Sequence, residues 1–502
     1  MAPELLPEQL GLDMAEVRSD SSLDSDPLLP PEHRERVPPR PNPLPKLQLA
    51  VVYFIKLIIP IAGTQALPYI NVMVADLAKA AGAKTGYYSG LVGSARSIAH
   101  LLTIYSWGRI SEIQDRHGRK PVVIIGTALT GFFTLLFGIS RTFPTVLLTV
   151  FLVGIFSGTT GAIHSIVGEL VDPTNEAIAF PLYDIVSAVG FAVGPLIGGT
   201  FSDPATQFGG PWFDTPFWRT YPYFLPSFIT ASIAATALLL AVFVLEETLP
   251  GRRGARKGPI RIHQDEESPI SPVRGPRTDP FVDAKPLGVW QLLSMPVIRM
   301  ICASSGALAY VAGSFNTVFV LQAYTPVEDG GLALSPSQIG RALGIMGTVS
   351  MFLKLGMPYL LRRFGTLTVF RFCMRSWPIT FASMAILSIV AKKVEGVEGV
   401  VTEWTAVSFV LFLSRVGCLA FSIIMILTKD HTPGTSSLGT SNGLAEFAQA
   451  LASVFSPAIV SSLFAFSSSN HILGGNFWVV VTVLISIGSG WFAEQMKRYR
   501  DD

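Results

Sequence analysis

The chain has 502 residues, of which 49% are hydrophobic and only 14% charged, with a net charge of +2. Soluble domains carry about 25% charged residues, so much of this surface does not face water, and the small net charge gives no reason to expect a nucleic-acid partner. Cys302, Cys373 and Cys418 all lie in apolar blocks, which outlines neither a disulfide framework nor a metal site.

Residues 1–46 are rich in Pro, Ser, Asp, Glu and Arg, have no helical period, and read as a disordered cytoplasmic tail. No cleaved signal peptide is expected, because no basic start leads into an apolar stretch. The tail holds Asp24 followed four residues later by Leu28 and Leu29. An acid with paired leucines in an exposed segment looks like a sorting signal toward a vacuole, and an inert spacer is the alternative.

From Leu47 onward, apolar blocks of membrane-spanning length follow one another, at about 20 residues per crossing. Twelve are predicted, near 48–75, 87–107, 120–140, 144–169, 178–201, 222–245, 297–321, 337–361, 366–391, 404–428, 437–465 and 475–494. The fold expected is all-α and integral to the membrane, with two pseudo-symmetric six-helix bundles. Residues 47–245 form the first bundle, 246–296 a polar cytoplasmic linker, 297–495 the second bundle and 496–502 a short C-terminal tail. The short loops after spans two and eight carry Arg109, Arg116, Arg119, Lys120, Arg362, Arg363 and Arg371. By the positive-inside rule they place both termini in the cytoplasm.

Two motifs stand out. The loop after span two reads WGRISEIQDRHGRKP, in which Gly118 allows a tight turn among Asp115, Arg116, Arg119 and Lys120. Span five ends with Gly190, Gly194, Pro195, Gly198 and Gly199. Glycines four apart line one helix face and permit close backbone approach, and Pro195 removes a backbone hydrogen bond. Span four carries a second small-residue face, Gly154, Gly158 and Gly161, read as tight packing.

Together these motifs resemble the major facilitator superfamily, and the span-five motif is similar to the signature of its antiporter branch. LPYI at 67–70, TYPYFLP at 220–226, LEETLP at 245–250, RRFG at 362–365 and LGTSNGLAEF at 438–447 look like the fungal drug:proton antiporters and their zinc-induced-facilitator-like relatives. The resemblance implies alternating access, with the loop motif clasping helix ends through charge pairs. The family spacing places an acid between Gly108 and Gly118, but this loop is three residues longer, so either Glu112 or Asp115 can supply it. Antiporters of this branch usually carry an Arg in span four, four residues before a Gly; ahead of Gly154 that position is Val150.

Ionisable groups inside a bilayer are costly and usually face an aqueous pathway. The candidates are Arg96, His100, His164 and Asp184 in the first half, and Arg415 and Glu446 in the second, the last two at similar depth. Gln65, Tyr69, Asn71, Asn316, Gln322, Asn442 and Gln449 add polar lining. Lys56, Lys354 and Arg375 are expected to reach toward head groups, and His164 can equally satisfy a neighbouring carbonyl. The chain lacks G-x-x-x-x-G-K-[ST], G-x-S-x-G and H-E-x-x-H, so no ATP-driven or enzymatic chemistry is expected.

The expected function is secondary active export of a small organic solute, drug-like or a metabolite or chelate, by proton antiport. A facilitator or uptake carrier is the alternative within transport, and a non-transporting sensor the alternative of another class. No cofactor is expected. The partners are the bilayer, the solute and protons; the working unit is a monomer, in the plasma or vacuolar membrane.

Overall fold

The computed structural model describes residues 45–81, 85–113, 119–171, 176–248, 287–393, 396–433 and 437–496. Every predicted span is helical. The first half runs through Lys46–Thr64 with Ile70–Ala81, Thr85–Ile113, Arg119–Gly138, Phe143–Ser157 with Thr160–Leu170, Glu176–Phe201 and Phe224–Phe243. The second runs through Pro296–Tyr324, Pro336–Phe364, Thr366–Lys393, Gly396–Cys418 with Ala420–His431, Leu438–Ser469 and Phe477–Gln495. These are spans one to twelve. Eleven helices among the described residues are long and apolar enough by themselves to cross a bilayer. The remaining crossing, span two, has the length, 29 residues, but carries Arg96, His100 and several serines.

Asp24, Leu28, Leu29, Asp115, Arg116 and Gly118 lie outside the described residues, as does the side chain of Glu112; Gly108 is described only as part of the helix of span two. Short helices that the span pattern does not predict, Pro204–Gln207, Gly210–Phe213 and Pro216–Thr220, fill the connection between spans five and six. Another, Val289–Ser294, precedes span seven.

Three crossings are interrupted. Span one breaks at residues 65–69, where Pro68 has no N–H to donate. Span four breaks at Gly158 and Thr159, and span ten at Leu419. Irregular backbone at membrane depth is tolerated where it is enclosed by protein or lines a cavity.

Each half has its own core. Ile55, Ile58, Ile163 and Ile166 pack in the first, and the rings of Phe315, Phe319, Trp377 and Phe381 in the second. The large apolar side chains left exposed, among them Phe243, Phe372 and Leu484, point outward, where lipid replaces water.

An even number of spans leaves the N-terminal end, the linker and the C-terminal end on one side, called here the tail side; the opposite side is the remote side. The halves meet at the remote ends of their helices. Span five packs on span eight, and span two on span eleven. Asp203, at φ 48°, ends span five in a left-handed turn and donates its N–H to Pro222 O at 2.8 Å. Span eight starts from a capping box in which Ser335 and Gln338 bond reciprocally, with Pro336 at the first helical position.

These two ends bring Gly199 against Gly340, where a Cβ on Gly199 would lie 2.8 Å from the Gly340 Cα. One helical turn further on, Gly344 faces Leu196, and Gly347 would meet the Ala192 Cα at 2.6 Å. Across the other contact, Ser94 Oγ donates to Val454 O at 2.7 Å, and Gly90 lies against Pro457 and Ser461.

The glycine motif of span five therefore serves two contacts. Gly190, Gly194 and Gly198 face Pro60, Ile61 with Thr64, and Gln65 of span one, within the same half. Gly199 faces the other half. In span four, Gly154 packs on Ala99 and the Arg96 backbone, whereas a Cβ on Gly161 would point into open space.

Overpacking a close contact costs about 1–3 kcal/mol. Gly194→Leu drives a side chain into the Ile61 backbone, so it should lower the thermal unfolding temperature of the purified protein by several degrees. Gly340→Leu should leave that temperature within a degree or two while cutting transport, because it strikes only the contact between halves. Equal unfolding temperatures for the two variants would contradict this division.

Candidate functional site

Charge pairs fasten helix ends on the tail side. The Glu247 carboxylate accepts from the backbone N–H of Arg119 at 2.7 Å and of Lys120 at 3.2 Å, so an anion sits where span three exposes unpaired N–H groups. Arg119 Nε bonds Glu169 Oε1 at 3.0 Å, and Thr248 Oγ1 donates to the other oxygen of Glu169 at 2.5 Å. Lys120 Nζ donates to Val242 O at 2.7 Å. Spans three, four and six are tied together by this network.

The second half repeats the device. Arg371 and Arg375 on span nine each hold one oxygen of Glu494 on span twelve, both at 2.6 Å. Arg375, expected to reach for head groups, is exposed but paired.

Charges of both signs gather on the tail side of the seal. Lys56 is buried, with Nζ 4.5 Å from the centre of the Tyr183 ring, so it does not extend toward head groups as expected. A cation over an aromatic face is attracted by the ring quadrupole. His164 approaches the same ring edge-on at 5.4 Å. Asp184, Glu446 and Lys354 all act on Lys56 by Coulomb interaction. Asp184 is half-buried, and Glu446 is exposed on the protein surface within the membrane-crossing region of span eleven.

The register of spans five and eight also sets the depth of Lys354. Gly340 opposes Gly199, and Gly347 opposes Ala192. Seven residues further along each antiparallel helix, Lys354 comes level with Ile185, next to Asp184. Lys56 and Asp184 belong to the first half, Lys354 and Glu446 to the second.

About 10 Å further along span one, at 1.5 Å per residue, lies a cavity of about 160 Å³. The interrupted part of span one lines it, with Gln65 and Asn71, and spans two, three, four and seven close it. Arg96 reaches in from span two, its Nη1 donating to Gly63 O at the break in span one. Ser89, Thr134 and Asn316 add polar atoms, while Val92, Phe137, Val153 and Val320 make apolar walls. Val150 lines this cavity too, so the site where Arg is usual in antiporters faces the guanidinium of Arg96.

The structure thus brings Gln65, Arg96 and Asn316 together in one cavity, and His164, Asp184 and Glu446 around Lys56 in a second layer. His100 lies one turn beyond Arg96 on span two, within reach of its charge. Asn442 sits one turn before Glu446 on the same face.

The remaining residues lie elsewhere. Tyr69 is fully buried and stacks on Tyr223 at 4.8 Å. Gln322 donates to Met384 O and Ser388 Oγ, and Gln449 to Ser305 Oγ, all inside the second half. Arg415 donates from Nε to Ser414 Oγ at 3.3 Å, and its buried Nη2 has no protein acceptor.

Sequence reasoning missed Glu169, Glu247, Glu494 and Thr248. The signal for the three glutamates was an acid at the tail-side end of a span, opposite the arginines that begin a neighbouring one; Thr248 carried none.

The profile of the Major Facilitator Superfamily matches residues 52–457. The major facilitator-type transporter psiT2 of Psilocybe cyanescens is 35% identical over 91% of this chain and 91% of its own length. The efflux pump azaK of Aspergillus niger is 26% identical, over 95% of this chain and 96% of that one. A crystal structure of a variant of the nucleoside transporter NupG superposes with a TM-score of 0.62 at 14% identity, over 90% of this chain and 99% of that one.

Lys56 is the cation on which both Asp184 and Glu446 act. Lys56→Met should lower the unfolding temperature by several degrees, and adding Asp184→Asn should restore at least half of the loss, as expected for groups coupled by about 1–2 kcal/mol. A double variant no more stable than the single one would show that Lys56 and Asp184 are not coupled.

Proposed function

The chain belongs to the major facilitator superfamily, and we propose that it is a secondary active transporter that exports a small organic solute in exchange for protons. The reading rests on one arrangement above all: Lys56 and Asp184 of the first half at the depth of Glu446 and Lys354 of the second, on the tail side of a pathway closed at its remote end.

Attraction between these opposite charges favours drawing the tail-side ends together, by about 0.2–1 kcal/mol for an exposed pair. A proton on Glu446 removes one attraction and favours the tail-side-open form. With Glu446 ionised and solute bound, these charges favour closing the tail side and opening the remote side. After solute leaves there, protonation of Glu446 returns the carrier to the form seen here, where the exposed carboxyl releases its proton to the tail side. Solute then moves from tail side to remote side and the proton moves the opposite way. Neither ligand shifts the equilibrium unless it binds one form better than the other; the proton does so through Lys56.

The positive-inside bias of the short loops supports a cytoplasmic tail side, so this direction is export. The likeness to an Aspergillus efflux pump points the same way. The acid-dileucine pattern at Asp24, Leu28 and Leu29 is read as a sorting signal to a vacuolar membrane or as an inert spacer, and the plasma membrane is equally open.

The test is transport into reconstituted vesicles with and without an imposed pH gradient, across a panel of organic cations, anions and zwitterions. The gradient should drive accumulation of at least one solute above its equilibrium level. Glu446→Gln should abolish that accumulation while leaving solute exchange across the membrane. Transport that never exceeds equilibration in the unaltered protein would establish a facilitator instead.

A further inference from the structure

The cavity around Arg96 has a polarity that the export reading does not use. Its one charged lining group is a guanidinium, and no carboxylate among the described residues forms an ion pair with it. The charge that acts nearby is that of His100, one turn along the same helix, and it has the same sign when protonated. The Nη1 donor reaches a backbone carbonyl, Gly63 O, which leaves the positive charge itself unneutralised.

Two further lining groups have no protein partner: Asn71 Nδ2, in a residue 2% exposed, and Ser89 Oγ, in a residue 8% exposed. An amide nitrogen is a donor only, and a hydroxyl can donate one proton. Buried polar groups are normally hydrogen-bonded, and a buried charge normally has a counter-charge. The unpaired chemistry of this cavity is therefore a cation and donors, set among Val92, Phe137, Val150 and Val320.

We propose that this cavity is the head-group subsite for an anionic solute, holding a carboxylate or phosphate against Arg96, Asn71 and Ser89. A planar guanidinium presents paired N–H donors that match the oxygens of either group. The apolar walls take an aromatic or aliphatic body, so the substrate class is an amphipathic organic anion or a zwitterion led by its anionic end. The inference rests on the transport reading above for its place on the pathway, but its test does not. A lipid phosphate presents the same chemistry; the position between the two halves, lined by span one on one side and span seven on the other, favours a soluble anion.

Thermal unfolding of the purified full chain separates the cases, with phenyl phosphate, phenylacetate and phenethylamine as probes. The two anions should raise the unfolding temperature saturably and phenethylamine should not. Arg96→Gln should weaken the anions' apparent affinity by roughly tenfold or more, the size expected for losing a charge-assisted hydrogen bond. Arg219→Gln, which removes an exposed cation in the loop between spans five and six, should leave it unchanged. Where Arg96→Gln does not fold, Asn71→Leu and Ser89→Ala carry the test, and each should weaken anion binding several-fold.

Equal protection by phenethylamine, undiminished anion protection in Arg96→Gln, or unchanged affinity in both Asn71→Leu and Ser89→Ala would overturn the proposal. So would protection by phosphatidylglycerol micelles but not by phenyl phosphate, which would reassign the site to a lipid head group. Absence of anion binding alongside intact gradient-driven transport refutes the subsite alone. Anion binding without gradient-driven transport refutes proton coupling alone.

Discussion

The close antiparallel contact between the remote ends of spans five and eight sets the geometry on which the rest of the structure depends. Gly199 and Gly340 allow two backbones to approach where any side chain would hold them apart, and Gly347 does the same against Ala192. The capping box at Ser335 and the left-handed turn at Asp203 fix where each helix begins or ends relative to that contact. Once the register is set there, it governs the full length of both helices. It brings Lys354 level with the neighbourhood of Asp184 and closes the pathway on the remote side. A one-residue slip would turn Lys354 by about 100° around its helix, at 3.6 residues per turn.

On the proposed reading, the pathway has two chemically distinct layers. The cavity nearer the remote end offers donors and a permanent positive charge among apolar walls. The layer nearer the tail side mixes two lysines with two carboxylates, so its net charge depends on proton occupancy. A carrier needs both properties: a group that recognises the solute and a group whose charge changes during the cycle. Placing them about two turns of helix apart on span one lets one broken helix sense both. The tail-side clamps at Glu247 and Glu494 hold the outer ends of each half as units, which directs any movement to the contact between halves.

Much of the architecture was legible in the sequence. Twelve apolar blocks of spanning length, a polar linker and a charge bias in the short loops describe two bundles without coordinates. Arg96, Gln65 and Asn316 were legible as lining because polar groups in apolar runs are expensive wherever lipid touches them. Azimuth was harder to read than depth. Lys56 lies near enough to the tail side to reach toward head groups, but the Tyr183 ring, 127 positions later in the chain, holds it inward. Tyr69 and Gln322 have the composition of lining residues, yet one stacks on Tyr223 and the other satisfies a carbonyl in its own bundle. Spacing showed that the glycines of span five share a face. It could not show that three of them serve span one while Gly199 serves the opposite half.

Whether protonation of Glu446 sets which end of the pathway is closed is tested most directly by pulsed electron–electron resonance between paired spin labels in lipid nanodiscs. One pair, at Thr206 and Glu328, spans the remote ends of the halves; the other, at Glu246 and Arg363, spans the tail-side ends. A short remote distance and a long tail-side distance are expected at acid pH, with both shifting in the opposite sense as pH rises. With Glu446→Gln, the acid-pH distances should persist at every pH. Distances that do not respond to pH, or that respond equally in Glu446→Gln, would contradict control by this carboxyl.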